Sequence, residues 1–112
     1  MERKTDFEDD AEFRLAVSQL LEDLLDGVDD LEDDELDPRL TPGNLSVTFE
    51  DESVILLSQQ TPTHELWLSA NYTAWHFLRT GGSWVERDTG ESLLDVLSKL
   101  FSEKLGESVS LR

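Results

Sequence analysis

The fifteen positions DGVDDLEDDELDPRL, residues 26–40, carry eight carboxylates and a single arginine. Carboxylates crowded in this way repel, and each raises the proton affinity of its neighbours. A multivalent cation relieves the repulsion. The donors are hard oxygens that suit Fe, Mn, Ca or Mg ions, and an exposed site that retains water binds them weakly and with little selectivity. The plainer reading of such a run is a solvated linker. Against it, Val28, Leu31, Leu36 and Leu40 interleave with the acids, as in chain that passes along a folded surface. An EF-hand is excluded, because no glycine stands at loop position six, five residues after any of these aspartates.

Other chemistries find less support. With no cysteine there is no disulfide, thiolate ligand or thiol nucleophile, so a metal would be held by oxygen or imidazole. His64 and His76 are isolated from each other and read as packed or surface histidines. No Ser-His-Asp grouping can be identified, and TGGS at residues 80–83 lacks the lysine and helix of a phosphate loop. A hydrolase built on paired carboxylates needs a cleft and two separated pKa values, and a small two-layer fold offers little concavity.

The acidity is uneven. Residues 1–37 hold sixteen acids against three bases, net −13, whereas the other 75 residues are net −4 within a total of −17. A sequence pI near 4.1 argues against nucleic acid and against anionic membrane, both of which need a basic surface. Cations or basic protein surfaces are the matching partners. At 112 residues one core is expected, hence one domain over 1–112 with residues 1–5 disordered. The opening residues have neither an apolar signal core nor transit-peptide composition, and no apolar run approaches membrane-spanning length, so a cytoplasmic location is expected.

The elements that must position the acids follow from periodicity. From Asp6 to about Gly27, Phe13, Val17, Leu20, Leu24 and Val28 step by three and four, with Ala16, Leu21 and Leu25 widening the stripe, which predicts an amphipathic helix. Its polar face includes Glu22, Asp23 and Asp26. The period then changes to two in ELDPRL, LSVTFE, SVILLSQ, ELWLSA, WHFLRT and WVERD. Short turns join these six segments, which favours an antiparallel meander, with Pro38 marking an edge strand. After DTGES, Leu93, Leu94, Leu97, Leu100, Phe101 and Leu105 return to helical spacing until Gly106. The expected fold is α+β: a two-layer sandwich in which N- and C-terminal helices cover one face of a sheet of about six strands.

That plan leaves the second sheet face open. Leu66 and Leu68 share one face, so Trp67 points the other way. Either the indole stands toward solvent as a binding anchor, or it joins Trp75 or Trp84 in a minor cluster, or the leucines are the exposed pair.

QQTPTHELWLSA, the His-Phe pair of WHFLRT and the passage GGSWVERDTGESLLDVL resemble the frataxin family, and most of all its bacterial CyaY branch. The resemblance runs through nearly the whole chain in order. It implies a frataxin-like fold and an iron-binding accessory protein of iron–sulfur cluster assembly that docks on the cysteine desulfurase and scaffold complex. It implies Fe(II) or Fe(III) bound loosely, with other divalent or trivalent cations able to substitute, and a monomer that iron can drive into oligomers. The family's metal ridge matches Glu22, Asp23, Asp26, Asp29, Asp30, Asp33, Asp34, Glu35 and Asp37 as a region. Trp67 and Gln60 match residues of the family's sheet surface, with Ser58 and Glu65 beside them. Three residues depart from the pattern: Ser58 replaces a frequent Asn, Glu65 a Gln, and Leu78 an Asp. The resemblance favours binding and regulation over catalysis. The alternatives are a weak ferroxidase or storage activity, for which the helix-borne Glu-x-x-His pairs of di-iron sites are lacking, and an acidic interaction domain with no metal role.

Overall fold

Phe13, Val17, Leu21, Leu24 and Val28 are all buried along one side of Asp10–Asp29, and this single apolar face makes the segment a helix, α1, that docks on a core. The computed structural model describes residues 5–111. Leu21 forms the centre of the buried stripe, and Leu20, at its margin, is only half-buried. The expected disorder of residues 1–5 falls almost wholly outside the described residues.

The helix begins four residues later than the expected Asp6. Asp9 caps it, accepting the Glu12 N–H at 2.8 Å. Asp6 is instead committed to a distant hairpin: its carboxylate accepts the Gly81 and Gly82 N–H groups at 2.9 Å and the Arg79 Nε–H at 3.0 Å. Gly27 does not stop the helix either. Burial of Val28 carries it two residues further, to Asp29, and Asp30 closes it.

Six strands follow: β1 (Asp37–Thr41), β2 (Asn44–Thr48), β3 (Val54–Gln60), β4 (Glu65–Ala70), β5 (Thr73–Thr80) and β6 (Ser83–Glu86). They pair in sequence order, each antiparallel to the next, which is the meander expected from the short connections. Pro38 lies in β1 at the sheet edge, where its missing N–H costs no ladder bond. The Pro42–Gly43 turn needs Gly43 at φ +79, and a Cβ there would also meet the Gln59 Cβ at 3.3 Å. A single 3₁₀ turn, Thr61–Thr63, links β3 to β4.

The chain ends in α2 (Leu93–Leu105), capped by the Ser92 side chain on the Asp95 N–H and closed by Gly106 at φ +69. Leu93, Val96, Leu97, Leu100 and Phe101 of α2 join the α1 stripe and the inward residues Leu45, Val47, Ile55, Leu57, Leu66, Leu68 and Phe77 in one core. The tail completes it. Val109 and Leu111 are buried, and their N–H groups donate at 2.9 Å to the hydroxyls of Ser102 and Ser98. This is the α+β two-layer sandwich with one covered and one open sheet face. Among the described residues no helix is long and apolar enough to cross a membrane.

Candidate functional site

The last turns of α1 and the connection to β1 place Glu22, Asp23, Asp26, Asp29, Asp30, Asp34, Glu35 and Asp37 in solvent, with Asp33 half-buried. Spacing decides who faces whom. Glu22, Asp26 and Asp30 are successive i,i+4 neighbours, and like charges so placed destabilise a helix. The end of α1 compounds this, because its last turn has no basic residue although a helix C-terminus favours cations. Of the nine acids, only Asp37 has a basic partner among the described residues, Arg39 at 3.3 Å.

The connection itself is shaped by Asp33, whose Oδ1 accepts the Glu35 N–H at 2.9 Å. That turn delivers Glu35 to Glu50, just beyond β2. Asp37 pairs with Thr48, so continuing the ladder by two positions brings the two carboxyls together. The Glu50 carboxyl holds Glu35 above the ordinary carboxylate range, with burial, Asp33 and Asp34 adding to the effect. Asp33, Glu35, Glu50 and Asp51 thus rim one hollow, with Lys104 of α2 reaching Asp51 at 3.4 Å. Asp51 behaves oppositely: hydrogen bonds from the Ser53 hydroxyl and N–H, helped by Lys104, lower it to about 2. The acidic region therefore extends onto the β2–β3 turn, which sequence reasoning missed although the hairpin register contained it.

Could these residues hold a cation? The donor chemistry fits a hard ion. The geometry is open: among the described residues no three His, Cys, Asp or Glu side chains converge on a point that could hold a metal. The arrangement suits a mobile, partly hydrated cation rather than a fixed coordination shell.

The second region is the open sheet face. Leu66 and Leu68 are fully buried and Trp67 between them is 39% exposed, so the indole points to solvent and does not cluster with Trp75 or Trp84, which pack against the core. Trp67 stands between Ser58 on β3 and His76 on β5, and meets the His76 ring edge-on at 4.8 Å. Gln60 donates to the Ser58 hydroxyl at 3.1 Å. Leu56 and Val54 extend the exposed apolar surface along β3. Gln60, Ser58, Glu65 and Trp67 are therefore on one surface of two adjacent strands. Leu78, the third departure from the family pattern, is buried beside Val85.

Glu65 is 3% exposed, although it belongs to the open face. Trp67 and Arg87 close it in. The Trp67 Nε1–H donates to its Oε1 at 3.0 Å, and an Arg87 guanidinium N–H donates to both oxygens at 3.2 and 3.3 Å. Burial pushes the carboxyl up, but the Trp67 and Arg87 bonds outweigh it and hold Glu65 below its ordinary range. Glu86 is buried too. Burial raises it, while the N–H groups of His76, Asp88 and Thr89 win and keep it ionised.

His64 is no ligand candidate. Its Nε2 meets the Asp10 carboxylate at 2.7 Å and its ring stacks on Phe13 at 4.9 Å, joining the start of α1 to the β3–β4 connection.

Residues 6–107 match the family model of the frataxin-like domain. A solved frataxin from Psychromonas ingrahamii, studied for stability within the CyaY protein family, superposes with a TM-score of 0.85 at 22% identity, covering 91% of this chain and 96% of its own. Trimeric frataxin from the yeast Saccharomyces cerevisiae, complexed with ferrous iron, gives 0.72 at 22% identity, covering 81% and 86%. A further yeast frataxin structure gives 0.71 at 22% identity over 95% and 98%.

Proposed function

The chain belongs to the frataxin-like family, and we propose that it is an iron-binding accessory protein of iron–sulfur cluster assembly, acting by binding rather than by catalysis. The observation that carries this reading is the ridge: nine clustered carboxylates, of which only Asp37 has a cation beside it among the described residues. The yeast relative that was crystallised with ferrous iron supports the choice of metal. Iron is cargo here. Glu22, Asp26 and Asp30 on α1, with Asp23, Asp29, Asp33, Asp34, Glu35 and Asp37 around them, hold Fe(II) or Fe(III) through hard oxygens and leave it partly hydrated and easily released. Other divalent or trivalent cations compete for the same oxygens. The protein is cytoplasmic and monomeric, and oligomers arise when iron bridges ridges of separate copies.

The partner is the cysteine desulfurase with its scaffold protein. The −17 charge steers the domain onto a basic surface, and the Trp67 face with Ser58 and Gln60 forms the close contact, while Glu65 lies enclosed behind the indole. Replacing Trp67→Arg should abolish co-purification with the desulfurase complex and leave iron uptake unchanged. Reversing Asp29 and Asp30 to Lys should do the opposite for iron. Retained docking in Trp67→Arg removes the sheet face from the mechanism. Undiminished iron uptake after reversal of the ridge acids favours an acidic interaction domain with no metal role, and catalytic oxidation of Fe(II) by oxygen that these reversals abolish favours a ferroxidase.

A further inference from the structure

Trp67 is the largest exposed side chain on the open face, yet its one polar atom is not offered to a partner. The indole N–H is already spent on Glu65. The same carboxylate holds the Arg87 guanidinium across two bonds, and Arg87 Nε in turn lies 3.6 Å from Asp88 Oδ2. On the other side the ring rests edge-on against His76. An exposed tryptophan normally samples several rotamers, and fixing it on binding costs entropy. Here the ring is tethered at its N–H and propped at its edge before any partner arrives.

We infer that Glu65 is a positioning residue for the open face, which holds the Trp67 indole in its docking orientation and keeps the Arg87 charge neutralised there. This deepens the docking role proposed above and rests on it. Three consequences follow from the geometry. A partner meets the indole through its ring, because the N–H has its acceptor inside the domain. Arg87 does not present an unpaired positive charge toward a partner chosen for its own positive surface. Finally, a glutamine at position 65 would keep an acceptor for Trp67 but lose the charge that holds Arg87.

The test follows the Trp67 Nε1–H in ¹H–¹⁵N spectra, assigned by its loss in W67F, together with affinity for the desulfurase–scaffold complex. Glu65→Ala should shift this signal and accelerate its exchange with water. Glu65→Gln should largely preserve it. Glu65→Met, which keeps the volume without a carboxylate, replaces Glu65→Ala if that variant does not fold. Affinity should fall about three- to tenfold in Glu65→Ala, the cost of ordering one freed side chain on binding, and less in Glu65→Gln. An indole signal unchanged in Glu65→Ala overturns the inference, as does undiminished docking in Glu65→Ala when Trp67→Ala docks poorly. If Trp67→Ala itself docks normally, the docking face proposed above is wrong, and the indole spectra alone then decide whether Glu65 holds the ring.

Discussion

The domain uses its carboxylates in two opposite ways. Around the sheet, Asp6, Glu65 and Glu86 are each enclosed by donors: two glycine N–H groups and Arg79 for Asp6, Trp67 and Arg87 for Glu65, three main-chain N–H groups for Glu86. Along the ridge, similar side chains face solvent and one another. The first group is committed to the fold and lies below the ordinary carboxylate range. In the second, Glu35 is pushed above it by Glu50. The difference shows where electrostatic free energy remains available for an incoming cation. It remains where the fold has not already consumed it.

The largest expected effect lies on the committed side. Glu86→Ala leaves three main-chain donors without their acceptor and should cost about 3 kcal/mol in denaturant unfolding. A loss below about 0.5 kcal/mol would mean that water satisfies these groups and that the enclosure is cosmetic. Asp6→Asn should destabilise by less, since that site is more open, and should raise exchange of the Gly81 and Gly82 amides before it affects the core.

The ridge should respond with the opposite sign. Asp26→Lys places a cation in the last turn of α1 and should stabilise by about 0.5 kcal/mol. The gain should shrink in high salt, which screens exposed charges. A destabilising Asp26→Lys would show that the repulsion is already relieved.

The smallest effect is in pH dependence, where the two groups separate in direction. Asp6, Glu65 and Glu86 have depressed pKa values, and Asp51 lies at about 2, so their stabilisation is present above the unfolded carboxylate pKa and is lost as pH falls through the folded values. Glu35 is raised, so its contribution is present below the unfolded value and is lost as pH rises through the folded one. Melting temperature should therefore rise slightly from pH 7 toward pH 5 and fall in stronger acid, and Glu35→Gln should flatten the rise. A monotonic fall from pH 7 in the parent protein would contradict this division.

Local signals made much of this legible in sequence. Ser92 and Gly106 bound α2 as capping chemistry predicts, and strict alternation around Trp67 leaves the exposed indole as one of three readings, which the burial of Leu66 and Leu68 decides. What escaped was long-range. Asp6 reads locally as the start of a helix because its partners, Gly81 and Gly82, are more than seventy residues away. Gly27 is a possible local stop, but Val28 already continues the apolar stripe beyond it, and its burial keeps the helix going to Asp29. The Glu65–Arg87 pair joins the start of β4 to the residue just after β6, and those strands are not neighbours in the sheet, so no pairwise ladder argument would find it. Glu50 was recoverable: extending the β1–β2 hairpin by two residues sets it against Glu35. Val109 and Leu111 close the core from the tail, and nothing local marks two apolar residues there as a lid.

The division between committed and available acids is tested most directly by adding Fe(II) without oxygen to the ¹⁵N-labelled protein and following every backbone amide. Paramagnetic broadening should concentrate between residues 22 and 37, reach Glu50 through Glu35, and leave the neighbours of Asp6, Glu65 and Glu86 sharp. Broadening spread evenly over the surface, or centred on those enclosed carboxylates, would contradict it.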